Sequence, residues 1–321
     1  MLQGCKFNRL EFAGSLGDLG TLLPLAIGMI LINGLQPTGL FLAIGIYYIL
    51  AGIYFGVTVP VQPMKVIGSY AIATAMTASQ ITAAGYLMGL ILLIIGATGT
   101  VSLIGRYTPR SVIRGVQLST GILLMVEGVK MMLGTSTIQK IHQMAEPYFA
   151  IQSIGTVPIG ILIGIAGGLL TLVLLDNKRF PAGLVIVGLG LVLGLILGNR
   201  EGLDQIRLGI TLPSLLPFGW PTRADVTFAL FALVLPQIPM TLGNAVVAYS
   251  DLSTEYFRER SARVTHKSAC LSMALANFLS STFGGMPLCH GAGGLAAHYR
   301  FGARTAGSNI IIGSIFIVLA V

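Results

Sequence analysis

Apolar residues run in long unbroken stretches along this chain, and polar residues gather in the short gaps between them. A helix needs about 20 mostly apolar residues to cross a bilayer. Runs of that kind fall at 10–33, 37–57, 82–105, 112–133, 156–176, 180–198, 225–250 and 266–283. A last run, 305–321, is still apolar where the sequence stops, so a shortened form of a longer protein is expected. The pattern predicts an all-α polytopic membrane protein.

Two segments do not fit as full spans. Residues 57–78 open with β-branched residues, carry Pro60 and Pro63, and contain Lys65. Residues 283–302 carry Pro287, a cluster of glycines and two histidines. Proline removes a backbone donor and glycine loosens a helix. Each segment therefore predicts an extended stretch followed by a short helix. Such backbone is tolerated at membrane depth only where protein or a water-filled cavity satisfies it.

Composition sharpens the picture. Only 9% of the 321 residues are charged and 54% are apolar, whereas soluble domains carry about 25% charged residues. Met1 to Arg9 show no cleavage site, so no removable signal peptide is expected. Cys5, Cys270 and Cys289 lie far apart, and neither a disulfide framework nor a metal-ligand spacing is readable. The net charge of +8 is spread between apolar runs, which argues against nucleic acid as a partner. No GxSxG and no P-loop occurs, so neither a serine hydrolase nor an ATP-driven pump is written here, and no cofactor is called for.

Basic residues favour cytoplasmic loops. With a cytoplasmic N-terminus and each broken segment crossing once, 13 of the 19 Lys and Arg residues fall inside, 5 fall outside and Lys65 stays within the membrane. The stretch 200–223, with Pro213, Pro217 and Pro221, reads as an outer loop. An internal symmetry follows. The first span and the span near 225–250 are each followed by one ordinary span and then a broken segment, in opposite directions. Inverted repeats with paired broken helices mark secondary transporters, whose substrate sits between the repeats near the midplane.

The candidate chemistry lies in the broken segments. A short helix starting near Pro63 points free amides at the membrane centre, which favours an anion. Gln62 adds an amide and Lys65 a full charge, which is costly at that depth and points to function; the plainer reading pairs Lys65 with Asp18 or Glu11. Cys289 to Gly294 begin a second short helix, and His290 there either titrates or is a satisfied buried histidine. Gln237, between Pro236 and Pro239, reads as cavity-facing. Asp18 and Asn244 are open between cavity lining and polar glue between helices. His298 and Tyr299 read as structural.

At these residues the chain resembles the molybdate transporter family, which is related to the sulfate permeases. PVQPMKVIG and FGGMPLCHGAGGLAAHYRFGAR look like that family's two signature motifs, and FNRLEFAGSLGDLGTLLPL resembles its opening. The resemblance implies uptake of molybdate, a tetrahedral dianion, with Gln62, Pro63, Met64, Lys65, His290, Gly291, Ala292 and Gly293 as motif positions. It also implies a core domain from 1–105 and 225–321, a gate domain from 106–224, and a multi-pass place in the cell membrane. A proton co-substrate, carried by His290, and a homodimer are further expectations. Sulfate or another oxyanion is the alternative substrate. An anion channel or receptor is the alternative class, although polar residues clustered at one depth favour alternating access. The later gate helices and the soluble C-terminal domain of the sulfate permeases are not within these residues.

Overall fold

The structure is a computed structural model, and it describes residues 5–101, 110–136, 139–140, 143, 149–175, 177, 180–198 and 211–320. Helices α1 (Arg9–Ser15) and α2 (Leu19–Asn33) are joined by a tight 3-10 turn, Leu16–Asp18, and form the first span. Asn8 caps it by accepting from the amides of Leu10 and Glu11 at 3.0 Å, and Gly34, in the left-handed region at φ 72°, ends it. Helix α3 (Pro37–Phe55) starts with proline at its first position, where a missing N–H costs nothing. Then follow β1 (Gln62–Pro63), α4 (Lys65–Ala73) and α5 (Ala78–Thr98), the last opened by a Thr77–Gln80 capping box. Helices α6 (Arg110–Met132), α7 (Ile159–Leu174) and α8 (Ala182–Leu197) come next, with an exposed hairpin, β2 (Ser153–Ile154) and β3 (Val157–Pro158), before α7.

The second half repeats the first. Helix α9 (Arg223–Ser261) is a long span, and α10 (His266–Thr282) follows it. Then come β4 (Leu288–Cys289), α11 (Ala292–Phe301) and α12 (Ala306–Ala320), with a bend of 104° between the last two. Both broken segments therefore take the expected form, a short extended piece and a half-length helix. Helix α4 begins at Lys65, two residues after the predicted Pro63. The reason is that Pro63 is held extended by antiparallel pairing with Leu288, as Gln62 is with Cys289.

Helix packing is reciprocal between the halves. Helix α3 of the first half packs on α12 of the second, and α10 of the second packs on α5 of the first. Small residues permit the close approach. A Cβ on Gly45 would lie 2.7 Å from the Gly313 carbonyl oxygen, and one on Gly313 would lie 2.7 Å from that of Gly45. At the other contact a Cβ on Gly85 would lie 2.0 Å from Ser281 Oγ.

Helix α9 departs from its expected length of 225–250. Its last part, Tyr249–Phe257, carries Asp251 and Glu255 on a half-polar surface and extends the helix beyond the apolar run. Two π-helical stretches, Leu230–Val234 and Thr241–Ala248, flank the turn that holds Pro236 and Pro239. Each proline lacks an N–H and crowds the carbonyl four residues back, and the wider π pattern absorbs that misfit. Most of the expected outer loop at 200–223 lies outside the described residues, as do 102–109.

Among the described residues, four helices are long and apolar enough to cross a bilayer, or five if the bent pair α11–α12 is one span. Helix α10, with 17 residues, is shorter than those four, and its Asn277, Ser280 and Ser281 are buried inside the protein.

Candidate functional site

The site is built where the two broken segments cross. Each extended piece has backbone groups that no helix satisfies, and each is held by an asparagine from a neighbouring span. Asn309 of α12 accepts from the Val59 amide at 2.9 Å and donates to the Val59 carbonyl at 2.7 Å. Asn277 of α10 does the same for Leu288, at 3.1 and 2.8 Å. The Met64 amide donates to the Pro287 carbonyl at 2.9 Å and ties the segments together. Side-chain amides thus replace a sheet ladder at membrane depth.

This frame places a small cleft beside the start of α4. Gln62, Lys65, Gln237, Thr241, Asn244 and Cys289 line it. Gln237 Oε1 accepts from the amides of Val66 and Ile67 at 3.0 and 3.3 Å, in the first turn of α4. Gln237 Nε2 donates to Thr241 Oγ at 2.9 Å. The carbonyl oxygen of Gln237 therefore occupies the positive end of the half-helix, and an anion reaching α4 competes with it for those two donors. Among the described residues, two buried polar atoms in the cleft wall have no hydrogen-bond partner, Lys65 Nζ and Gln62 Oε1.

Lys65 is not paired with either carboxylate that the sequence offered. Glu11 accepts from the amides of Arg304 and Thr305 at 3.2 Å. Asp18, only 1% exposed, accepts from Gln62 Nε2 at 2.7 Å, the Tyr48 hydroxyl at 3.0 Å and the Val61 amide at 3.2 Å. His298 Nε2 lies 3.1 Å from the same carboxylate. Asp18 thus stands behind Gln62 and orients it, rather than lining the cleft.

The remaining expected residues divide. Pro63 serves through the strand pairing, and the Met64 side chain packs in the apolar core. Gly291 is the N-cap of α11, and Ala292 is its first residue. A Cβ on Gly291 would lie 2.1 Å from Gln62 Oε1, so this position must be bare for Gln62 to fit. Gly293 is half-buried on the first turn of α11. The His290 ring faces away from the cleft. Its Nδ1 sits 2.9 Å from the Pro60 carbonyl, and its Nε2 sits 2.7 Å from the Tyr47 hydroxyl and 3.0 Å from Ser272 Oγ, between the rings of Tyr47 and Tyr249.

Sequence reasoning did not find Thr241 or Tyr48 as parts of this arrangement, and it gave Cys289 and His298 no role in the cleft. Thr241 lies one helical turn after Gln237, and that spacing was the available signal.

A family profile described as "Molybdate transporter of MFS superfamily" matches residues 10–124 and 229–321. The chain is 32% identical over 331 residues to Molybdate transporter 2 of Arabidopsis thaliana, covering 94% of this chain and 69% of that one. It is 29% identical over 398 residues to Molybdate transporter 1 of Chlamydomonas reinhardtii, covering 95% and 76%. Among solved structures, the transmembrane domain of the cyanobacterial bicarbonate transporter BicA shares the fold, with a TM-score of 0.58, 18% identity and coverage of 97% of this chain and 81% of that one. So does murine Solute Carrier 26 family member A9, an anion transporter in the inward-facing state, with a TM-score of 0.59, 12% identity and coverage of 98% and 56%.

Proposed function

This chain belongs to the molybdate transporter family, and from that premise we propose that it imports molybdate by alternating access, with the dianion held in the cleft at the start of α4. It is a multi-pass membrane transport protein and not an enzyme. One observation carries the placement of the substrate: a buried lysine ammonium without a partner among the described residues, beside the amides that open a half-helix. A charge at membrane depth is costly unless it is paired, and a tetrahedral dianion pairs with Lys65 and accepts from α4 together. Lys65 offers three donors from a compact point charge, which suits an oxyanion approached from one side.

In the proposed cycle the core, 1–105 and 225–321, moves against the gate, 106–224, in the cell membrane with the N-terminus in the cytoplasm. The ion pair between Arg114 of α6 and Glu255 of α9, at 3.1 Å and half exposed on both sides, is the kind of contact such motion makes and breaks. Sulfate, with the same charge and shape, is the second substrate to test.

Purified protein in liposomes, loaded from outside with labelled molybdate, tests this reading. Saturable uptake competed by sulfate and not by chloride is expected. Uptake that rises linearly with concentration and is competed equally by chloride would show a channel instead.

A further inference from the structure

The orphaned oxygen of Gln62 has a cause. Asp18 Oδ2 is taken by the Tyr48 hydroxyl and the Val61 amide, with His298 Nε2 beside it. Asp18 Oδ1 takes Gln62 Nε2 at 2.7 Å. An ionised carboxylate only accepts. The Gln62 side chain, 2% exposed, must therefore turn its NH2 toward Asp18, and its carbonyl oxygen is left in the cleft wall without a partner. In that state the wall presents an acceptor, which repels the oxygens of an oxyanion.

A proton on Asp18 Oδ1 reverses this. The carboxyl becomes a donor at that oxygen and needs an acceptor. The terminal torsion of glutamine is two-fold, so a half-turn gives Gln62 Oε1 to Asp18 and Nε2 to the cleft. One proton then changes the wall from repelling an oxyanion to donating to it. Tyr48 and Val61 keep Oδ2 in place throughout. The space around the amide is set by Gly291 and Gly294, where an added Cβ would lie 2.1 Å from Gln62 Oε1 and 2.5 Å from Gln62 Nε2. Thr21 Oγ, 3.4 Å from Nε2, accepts in the present orientation while donating to the Asp18 carbonyl at 3.2 Å, and it serves the turned amide by redirecting that one hydrogen to Gln62 Oε1.

We propose that Asp18 is the site of a coupling proton and that the Gln62 amide, by turning over, transmits the charge state of Asp18 to the oxyanion cleft. The proposal rests on the cleft being the oxyanion site. It moves the proton from His290, whose ring faces away from the cleft, to a carboxylate one hydrogen bond from it. Among the described residues, the titratable groups around Asp18 are Tyr48 from α3, His298 from α11 and, from the two broken segments, Lys65, Cys289 and His290.

The sign follows from linkage. Binding favours protonated Asp18, so molybdate binding takes up a proton and tightens as pH falls, by about tenfold per pH unit where one proton is fully linked. In Asp18→Asn, the Tyr48 hydroxyl and Val61 amide hold the new carbonyl oxygen. The new NH2 then faces Gln62 and locks its amide with the donor toward the cleft. The experiment measures molybdate binding to purified wild-type and Asp18→Asn protein in weak buffer across the neutral range, with a pH-indicator dye reading protons. Wild type is expected to take up one proton per molybdate bound. Asp18→Asn is expected to bind with the wild type's low-pH affinity at every pH and to take up none. Proton uptake that persists in Asp18→Asn places the proton on His298 or on the oxyanion and overturns the proposal. Should that variant not fold, infrared difference spectra of wild type decide: a protonated-carboxyl band on adding molybdate is expected, and its absence overturns the proposal. Wild type that binds molybdate without a proton sinks this proposal alone, whereas wild type that does not bind molybdate sinks the oxyanion reading beneath it.

Discussion

Asn309 holds Val59 by both of its backbone groups, accepting from the amide at 2.9 Å and donating to the carbonyl at 2.7 Å. The extended approach to α4 has no strand partner at that point, so one side chain supplies what a ladder would. Asn309→Ala leaves two buried backbone groups unpaired and is expected to cost about 2–6 kcal/mol at roughly 1–3 kcal/mol each. Asn309→Asp keeps the acceptor for the Val59 amide but sets a carboxylate oxygen against the Val59 carbonyl. It is expected to be at least as damaging. Thermal unfolding in detergent reads both; a variant within error of wild type would remove Asn309 from the frame.

Gln237 occupies the donors of Val66 and Ile67 with a neutral oxygen. Gln237→Glu puts a carboxylate at the same place, where it satisfies α4 and neutralises Lys65. The empty protein is expected to hold its stability, and molybdate affinity is expected to fall by more than tenfold, because the carboxylate has taken the anion's place. Titration calorimetry beside a melting curve separates the two effects. Retained affinity would mean that the oxyanion binds elsewhere.

Gly294 faces the pair that orients the cleft. An added Cβ would lie 2.2 Å from Asp18 Oδ1, 2.5 Å from Gln62 Nε2 and 2.8 Å from Pro60 Cβ. Neither the carboxylate, fixed by three donors, nor the proline ring can give way. Gly294→Ala is expected to abolish uptake. Gly188→Ala, in α8 with nothing within 4 Å of the new atom, is expected to leave uptake unchanged. Measuring both in the same liposome assay checks the claim; equal loss would show that helix glycines matter for a general reason.

Much of this architecture was legible in the sequence because lipid imposes it. Apolar runs reported the spans, and Pro60, Pro63 and Pro287 marked where helices break. The positions of Lys65 and Gln237 followed from the cost of polar groups at depth. The partners of those groups were not legible. Asp18 could not be matched to Gln62, 44 positions away in the same half, nor His298 to Asp18 across the two halves, because such pairing depends on packing that no local pattern carries. His290 was open between a titrating group and a satisfied buried histidine, and its ring lies against Tyr47 and Ser272. The π-helical stretches of α9 were hinted at only by Pro236 and Pro239.

Lys65 carries the central claim. Among the described residues its ammonium is buried without a partner in the cleft, and a bound dianion supplies one. Molybdate affinity and thermal stability measured on the same preparation of Lys65→Met test this most directly. The account predicts that affinity falls by at least a hundredfold while the melting temperature of the ligand-free protein stays the same or rises, because an unpaired buried charge has been removed. Unchanged molybdate affinity together with lost stability would contradict it.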